Sequence, residues 1–443
     1  MGVVAMSNNS NFWIDLTDML VWRGHFTGIQ RVVYEYATRF AKEPNTKFCA
    51  YDELDNRFFE VSADVLDTKH RTVSPVENVE ASITARRRAR QIIGKPYYSL
   101  SEERRRKLQP TVQYANYLAR SVMHRLLPKP EQPKPKSIYA SYKDAHFKRG
   151  DTLVLLGAGW NETKLFDAVV SAKQQHGIRI SQHINDILPI YQPQLFADEL
   201  IEVFTPFVNK AIRHADVITV ISEATKRDLL VFCKENGVKN ARIKVIRLGD
   251  DVVKKSSTKP KEIHDAEQFI LAVGTFEIRK NYTLLYQTMK LAQLEGRPLP
   301  KIVIVGRKGW LSSDLAHVIE RDPQAKQHIL WLTDVNDEGL EWLYNNCLFT
   351  VFPSLSEGWG LPIAESLQHG KLCIASGVSS MLEIGDGMVD YFLPYDAREC
   401  LEKIVYYLAE DRYLEENHKI NNTYQVYTWD ESYQSLKSAL KNQ

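Results

Sequence analysis

Short apolar runs alternate with amphipathic segments over most of this chain. Runs such as DTLVLLGAGW, ADVITVISEA and KIVIVGRKGW have the length of buried strands, and the segments between them place apolar residues on one helical face. Strands that alternate with helices are typical of a doubly wound parallel sheet. The pattern occurs before and after the polar stretch KKSSTKPKEIH at 254–264. It therefore predicts two α/β domains joined by a linker.

A strand predicted over 11–16 opens the first domain and leads through a glycine loop into an amphipathic helix. The loop is WRGHFTG and the helix is IQRVVYEYATRFAK, with Tyr36 and Phe40 on its apolar face. Gly28 lets the backbone approach a ligand, and the helix start offers unpaired N–H groups to an anion or a sugar hydroxyl. A plain strand-to-helix turn is the alternative.

Polar groups follow several predicted strands of the first domain. His183 and Asp186 come at the end of IRISQHIND, and Ser222 and Glu223 come at the end of ADVITVISE. Each pair alone is also consistent with a turn or a cap, and Ser222 is a good helix N-cap. Their repetition at strand ends predicts one wall of a cleft.

In the second domain, two cations stand between a strand and a helix. The run FILAVG ends on Gly274, and Arg279 and Lys280 precede a helix predicted from about Tyr282. Cations beside the N-terminus of a helix suit a diphosphate, because fixed N–H groups and charged side chains act on the same anion. A solvated loop is the alternative.

The stretch 351–385 combines glycines, prolines and carboxylates between apolar runs. It predicts, in order, the end of a strand, a loop, a helix and a second strand, at 351–353, 354–360, 361–369 and 371–376. Glu357 falls in the loop and Glu365 in the helix. An N-cap partner and a solvated loop residue are the alternative for these glutamates. Because ligands of open α/β sheets bind at this end of the strands, the stretch predicts an active-site rim.

Composition narrows the class of protein. Hydrophobic residues make up 44% and charged residues 25% of the 443 residues, which is typical of a soluble globular protein. The five cysteines are scattered without a C-x-x-C pair, so we expect reduced core cysteines of a cytoplasmic protein. The sequence shows neither an apolar run of about 18 residues nor a signal-peptide pattern, so it predicts no spanning helix and no export.

Charge is concentrated in one segment. Residues 81–130 carry twelve cations and two glutamates, a net charge of +10 in a chain of net charge +2. We interpret the segment as part of a basic helical insertion in the first domain, over about 77–137. Its cations and helically spaced apolar residues suit anionic lipid headgroups. Nucleic acid is another polyanion partner, and solvated surface helices are the third alternative.

The pairing of VGTFEIRKN with SEGWGLPIAES resembles retaining glycosyltransferase family four, and the similarity covers most of the chain except the basic insertion. These enzymes have the GT-B fold, in which two Rossmann-like domains face each other across a cleft. Glu357 and Glu365, with seven residues between them, match the E-x7-E motif of the family. The resemblance implies that Glu357 is catalytic and contacts donor-sugar hydroxyls, that Glu365 contacts the ribose, and that Arg279 and Lys280 hold the diphosphate.

The resemblance also implies further site residues. Gly360 and Leu361 are expected to bind the diphosphate. Gly358, Trp359 and Ser222 are expected to bind the nucleoside and the sugar. The acceptor-side loop is expected to contain Thr27, Gly28 and Arg31. Backbone N–H groups of residues 379–381 are expected to close over the phosphates. QHINDILP resembles a strand-end motif in which His or Tyr commonly precedes Asp. Here Asn185 takes that place, so both His183 and Asp186 are catalytic candidates.

The chemistry of a departing diphosphate supports a metal-free site. Cations and helix N-termini stabilise the charge that develops on phosphate oxygens, and the sequence contains no D-x-D motif. We expect no metal and no cofactor beyond the nucleotide-sugar donor. The family implies front-face departure with retention. A hydrolase needs two carboxylates that face each other across a bond, and the cationic site gives no reason for one.

We therefore expect a cytoplasmic, metal-independent, retaining glycosyltransferase. It would move a hexose to a lipid-linked or growing oligosaccharide such as O-antigen or capsule, with GDP-mannose as first donor and UDP-glucose or a deoxyhexose donor as alternatives. A catalytically silent partner of another transferase is a further alternative. Peripheral contact of residues 81–130 with the inner face of an anionic membrane is one interpretation of the basic insertion, beside solvated surface helices, and nucleic acid is not expected.

The expected domain limits follow from these patterns. The first, acceptor-side domain covers 1–253, and the second, nucleotide-sugar-binding domain covers 265–425. A C-terminal helical segment, 426–443, is expected to pack back on the first domain, since its Trp429 and Tyr433 need an apolar surface.

Overall fold

A computed structural model describes residues 10–21, 28–67, 137–251, 256–264, 267–385 and 387–441. The chain divides into two compact units, residues 1–66 with 141–443 and residues 67–140. The predicted basic insertion lies outside the described residues apart from its last position, and so does Thr27. Of the second unit, the structure describes Asp67 and a turn at 138–140.

Seven strands of the first unit form a sheet in the order β3-β2-β1-β4-β5-β6-β7. They are β1 (Phe12–Asp15), β2 (Thr46–Asp52), β3 (Arg57–Val61), β4 (Thr152–Leu155), β5 (Arg179–Ile184), β6 (Val217–Val220) and β7 (Ile243–Val245). Strand β3 pairs antiparallel with β2, because the short turn at Asn56 folds it directly back, and the other pairs are parallel. The predicted parallel sheet is therefore confirmed, with one antiparallel edge strand.

Six strands form a second, fully parallel sheet in the order β10-β9-β8-β11-β12-β13. They are β8 (Phe269–Val273), β9 (Lys301–Val305), β10 (Ile329–Leu332), β11 (Thr350–Phe352), β12 (Cys373–Ser376) and β13 (Val389–Phe392). Strands β8 and β11 are neighbours, so the loops that follow them lie side by side at the carboxyl edge. The two sheets confirm the expected pair of α/β domains.

Helices surround both sheets. They are α1 (Thr17–Val21), α2 (Gly28–Phe40), α3 (Leu165–His176), α4 (Leu188–Tyr191), α5 (Asp198–His214), α6 (Glu223–Glu235), α7 (Tyr282–Leu294), α8 (Ser313–Arg321), α9 (Pro323–His328), α10 (Asp337–Asn346), α11 (Leu361–Gln368), α12 (Ala397–Leu408), α13 (Arg412–Thr423) and α14 (Trp429–Lys441). Short 3-10 turns include Ile278–Lys280 and Ser379–Glu383. None of these described helices is long and apolar enough to cross a bilayer.

The hydrophobic cores lie between each sheet and its helices. In the first domain, β4, β5 and β6 pack against α3, α5 and α6 through a continuous apolar cluster. A smaller cluster in the second domain joins β8, β9 and β10 to α10. All five cysteines are buried and free, as expected for core thiols.

The predicted rim between β11 and β12 folds as its sequence indicates. The loop 354–360 leads into α11, and Pro362 occupies the first turn of that helix. Gly360 adopts φ +130° just before the helix, and Gly370 adopts φ +66° just after it. Both angles lie in the region that favours glycine, so these residues allow the sharp changes of direction at each end.

The chain passes between the two domains twice, and the two crossings bond to each other. The Asp250 N–H donates to the Tyr427 carbonyl at 2.9 Å, and the Tyr424 hydroxyl donates to the Asp250 carboxylate. The Trp429 N–H donates to Asp251 Oδ1 at 2.5 Å. These bonds place the start of α14 against the first domain.

Helix α14 packs on α2. The Trp429 ring meets Tyr36 edge to face at 5.6 Å, and the Tyr433 ring meets Phe40 at 5.0 Å. At the rim of this contact, Arg39 bonds Asp430 at 2.6 Å. The apolar face of α2 is therefore covered by the last helix of the chain.

Candidate active site

Four charged side chains meet where the loops after β8 and β11 lie side by side. Glu357 Oε2 accepts a hydrogen bond from Arg279 Nη1 at 2.5 Å, and Glu357 Oε1 accepts one from Lys280 Nζ at 2.6 Å. Arg279 Nη2 also donates to Glu277 Oε1 at 2.7 Å. We call these four residues, Glu277, Arg279, Lys280 and Glu357, the charge cluster. The two predicted motifs thus form one group.

Burial and pairing set the protonation of the charge cluster. Burial by itself raises the pKa of the Glu357 carboxyl, but Arg279 and Lys280 outweigh it and hold that pKa at about 2. Burial lowers the pKa of Lys280 against the opposing effect of Glu357. The carboxylates raise the pKa of Arg279 despite its burial. Glu357 is consequently ionised at neutral pH, and its charge is balanced by the two cations.

The loop that carries Glu357 is fixed from behind by two hydroxyls. Ser379 Oγ donates to the Glu357 carbonyl at 2.7 Å, and the single proton of Ser380 Oγ is shared between the Glu357 and Trp359 carbonyls, at 2.8 and 2.7 Å. The Met381 N–H donates to the Val378 carbonyl at 3.3 Å. The segment expected to close over phosphates therefore supports the glutamate loop through its side chains.

Asp186 and His183 occupy different environments. A methyl group added at Gly358 would lie 2.8 Å from the Asn185 carbonyl and 2.9 Å from Asp186 Cβ, so the glutamate loop touches the first domain there. Burial raises the pKa of Asp186, and the charge of Arg279 opposes that rise. Asp186 Oδ1 accepts the Leu188 N–H at 3.1 Å. Asp186 therefore borders the charge cluster from the opposite domain.

His183 lies deeper, within β5. It is 2% exposed, and its Nδ1 lies 2.9 Å from Thr219 Oγ1. Burial lowers the pKa of His183 to about 4, so the imidazole is neutral at physiological pH. Its ring also meets Tyr36 edge to face at 6.0 Å. Of the two catalytic candidates, Asp186 is the one that the structure places beside the glutamate loop.

Glu365 is bonded on both oxygens. Its Oε1 accepts from Arg31 Nη1 at 2.8 Å, and its Oε2 accepts from the Tyr344 hydroxyl at 2.9 Å. Tyr344 is buried and stacks on His369 at 4.7 Å. Arg31 belongs to α2, so this ion pair joins the first domain to the second. Glu365, which was predicted to contact the ribose, and Arg31, which was predicted for the acceptor-side loop, are thus bonded to each other.

The remaining predicted residues lie around this junction. Gly360 and Leu361 form the start of α11, and the buried Trp359 ring lies 5.8 Å from the guanidinium of Arg247. Ser222 is buried and caps α6, since its hydroxyl accepts the Thr225 N–H at 3.0 Å. Gly28 is exposed at the first position of α2. The capping alternative for Ser222 is thereby confirmed.

Two carboxylates near the site were missed by the sequence reasoning. Glu277 stands two positions before Arg279, and its place within the motif VGTFEIRKN was the available signal. Glu383 accepts the N–H groups of Glu223 and Ala224, at 2.8 and 2.7 Å, at the start of α6 in the other domain. About 160 positions separate these partners, so sequence offers no local signal for that contact.

Metal binding has no ligand set in the part of the chain that the structure describes. No group of three or more His, Cys, Asp or Glu side chains is arranged there to hold an ion. In the charge cluster, both oxygens of Glu357 already accept from cations. Independence from metal stays a prediction.

Known proteins show similarity to this chain. Serotype-specific mannosyltransferase WbdA of Escherichia coli is 27% identical over 277 residues, which cover 58% of this chain and 33% of WbdA. O-antigen chain mannosyltransferase B of Escherichia coli is 34% identical over 149 residues, covering 33% of this chain and 38% of the relative. The matches thus span 33% and 38% of the length of these relatives.

Solved structures share the fold over nearly the whole chain. Anabaena Alr3699/HepE, solved with UDP and glucose, gives a TM-score of 0.58 at 13% identity and covers 98% of this chain and 100% of that one. Sucrose-phosphate synthase from Thermosynechococcus elongatus gives 0.58 at 14% identity and covers 98% of both. These likenesses, with the two parallel-sheet domains, show the GT-B fold.

One family description matches the second domain. Residues 253–425 match the family of Glycosyl transferases group 1. The matched range contains the second sheet, the charge cluster and Glu365. Residues 253–425 of this chain are therefore similar to Glycosyl transferases group 1.

Proposed function

We propose that this protein is a retaining, metal-independent glycosyltransferase that moves a hexose from a nucleotide diphosphate sugar to a lipid-linked or growing surface glycan. The observation that carries the proposal is the charge cluster, in which Arg279 and Lys280 converge on Glu357 at 2.5 and 2.6 Å. The cluster lies beside Asp186 of the opposite domain. A donor bound there would meet Arg279, Lys280 and Glu357 on one side and Asp186 on the other.

The donor enters by exchange of partners. The diphosphate replaces Glu357 as the partner of Arg279 and Lys280. The Glu357 carboxylate can then accept hydrogen bonds from hydroxyls of the donor sugar. The cations keep an anionic partner throughout, and the Glu357 carboxylate accepts from sugar hydroxyls in place of Arg279 and Lys280.

Transfer then follows with the charges already in place. The bond from the anomeric carbon to the diphosphate breaks, and a bond to the acceptor oxygen forms on the same face. The departing diphosphate oxygen takes the proton of the acceptor hydroxyl. Arg279 and Lys280 stabilise the negative charge that develops on the phosphates, and Glu357 offsets the positive charge on the sugar.

Mannose from GDP-mannose is the first donor candidate. Relatives that share sequence with this chain are named as a serotype-specific mannosyltransferase and as O-antigen chain mannosyltransferases, which supports both the sugar and the class of acceptor. UDP-glucose and a deoxyhexose donor stay as alternatives, and a structural neighbour was solved with UDP and glucose. We place the enzyme in the cytoplasm, in peripheral contact with anionic lipid through residues 81–130.

The test is a panel of purified protein against GDP-mannose, UDP-glucose and a deoxyhexose donor, with calorimetric binding and slow donor hydrolysis as readouts. We expect binding and hydrolysis of one donor, and Glu357→Gln is expected to lower its hydrolysis at least 100-fold. Binding without hydrolysis in the wild type would favour a catalytically silent partner. Failure to bind any nucleotide sugar would refute the proposal.

A matched pair of lysine variants tests the diphosphate site. Lys280→Ala is expected to weaken nucleoside diphosphate binding about tenfold or more, because a charge-assisted hydrogen bond is lost. Lys301→Ala is the control, since Lys301 bonds Glu267 at 2.5 Å at the amino end of β9. Equal affinities for the two variants would contradict the placement of the phosphates.

Membrane contact has its own test. Replacement of the four arginines at 86–90 is expected to reduce flotation of the protein with anionic liposomes, and added salt should have the same effect on the unmodified protein. Equal flotation of both proteins would favour solvated surface helices, and a salt-dependent shift of labelled RNA would favour nucleic acid.

A further inference from the structure

Glu277 is a buried carboxylate whose role the donor exchange does not assign. It is 3% exposed, and its Oε1 accepts from Arg279 Nη2 at 2.7 Å. Among the described residues, its Oε2 and the Nε of Arg279 are buried without a hydrogen-bond partner. Burying a carboxylate oxygen without a hydrogen-bond partner lowers the free energy of unfolding. This cost favours a functional role for the bond between Glu277 and Arg279.

The backbone that carries Glu277 is fixed to the neighbouring strand. The Phe276 N–H donates to the Arg307 carbonyl at 2.7 Å, and the Gly309 N–H donates to the Phe276 carbonyl at 2.9 Å. A methyl group added at Gly309 would lie 3.0 Å from Glu277 Cβ, so the loop after β9 closes directly over this residue. The backbone beside Glu277 is therefore bonded to the loop after β9, whereas the Arg279 carbonyl accepts the Leu355 N–H of the glutamate loop at 2.8 Å.

Arg279 is held by two carboxylates on different supports. Glu357 lies on the loop after β11, and in the proposed exchange it gives Arg279 to the diphosphate. The Ser356 carbonyl, 3.1 Å from Arg279 Nη1, belongs to that same loop. Glu277 belongs to the segment after β8 and stays in place. It is the partner that Arg279 keeps while the other contact changes.

We propose that Glu277 is the positioning residue of Arg279, holding its guanidinium at the diphosphate site while Glu357 exchanges Arg279 for the donor. This inference rests on the proposed function. Coulomb's law alone predicts the opposite result of removing Glu277, because the cluster would become more positive and would attract a diphosphate more strongly. The sign of the change in affinity therefore separates positioning from charge balance.

The experiment is calorimetry of GDP, UDP and GMP binding to the full chain and to four variants. Glu277→Ala is expected to weaken binding of the preferred nucleoside diphosphate about tenfold and to leave GMP binding within about twofold. Glu277→Gln keeps an acceptor for Arg279 Nη2, so it is expected to restore affinity to within about threefold of the wild type. In the Arg279→Ala background, the added Glu277→Ala change should have less than about a twofold effect.

Each outcome decides the matter. Equal or tighter diphosphate binding by Glu277→Ala would overturn the positioning role, and so would equal losses for GMP and the diphosphate, which indicate general damage. Additive losses in the double variant would overturn it as well. A wild-type protein that binds neither GDP nor UDP would overturn the proposed function and this inference with it, whereas wild-type binding with an unchanged Glu277→Ala variant would overturn the inference alone.

Discussion

Asp15 ends β1 in the core of the first domain, and its replacement by asparagine is expected to stabilise the protein above pH 7. The residue is 6% exposed, and its Oδ1 accepts from the Thr17 N–H and hydroxyl at 3.2 and 2.5 Å. Burial raises the pKa of Asp15 to about 7, with repulsion from Asp18 and Glu162 adding to the rise and Thr17 opposing it. Asparagine keeps the accepting oxygen and carries no charge.

The magnitude follows from the difference between the folded and unfolded pKa. An unfolded Asp titrates at 3.8 and the folded one at about 7, which corresponds to about 4 kcal/mol. Between these values the folded state holds a proton that the unfolded state has released. The free energy of unfolding therefore falls as pH rises from about 4 to 7, and the loss is complete above that range. Asp15→Asn removes this loss.

The assay is the midpoint of urea unfolding of wild type and variant, followed from pH 4 to pH 9. The two midpoints should agree near pH 4, and the variant should exceed the wild type by an increasing margin up to about pH 8. Asp151→Asn is the control. Its carboxylate accepts from Trp13 Nε1 and from the Asn11 and Lys148 N–H groups, so an amide should destabilise. A midpoint of Asp15→Asn that stays at or below the wild type at pH 8 would refute the reasoning.

Three further substitutions test contacts between the domains. Gly358→Ala should lower donor turnover at least tenfold with an unchanged melting temperature, because its methyl would lie 2.8 Å from the Asn185 carbonyl and push the loop away from the first domain. Normal turnover would show that this separation does not affect the reaction. Glu383→Ala should lower the free energy of unfolding by about 1 kcal/mol, since two N–H groups of α6 lose their acceptor. An unchanged urea midpoint would argue against that cap. Trp429→Ala should cost about 3–5 kcal/mol in the same assay, because the ring is 1% exposed against Tyr36; a loss under 1 kcal/mol would contradict the packing of α14.

Local sequence patterns predicted much of the fold. The strand, loop and helix around Glu357 were predictable because Pro362 and two glycines mark the helix limits within a few positions. Helix α2 was predictable from its apolar face. The antiparallel edge strand β3 was not anticipated, because its direction is set by its short connection to β2 and not by the apolar pattern of the strand.

The sequence indicated several residues that the structure brings together, but it did not indicate their contacts. Glu357 and Arg279 stand 78 positions apart, and only the adjacency of β8 and β11 brings them together. Arg31 and Glu365 are 334 positions apart, and no local pattern pairs them. His183 lies on a strand buried on both faces, where a histidine in the core and one at a site have the same sequence surroundings.

The packing of α14 on α2 has a consequence for synthesis of the protein. Tyr36 bonds Ser432, a partner 396 positions later, at 2.8 Å. At ribosomal rates of about 5–20 residues per second, roughly 20–80 s pass between the synthesis of α2 and the synthesis of α14, which covers its apolar face. Although the first domain emerges first, its helix α2 is covered only after the second domain has been synthesised. We therefore expect the nascent chain to need chaperone protection at α2 until α14 leaves the ribosome.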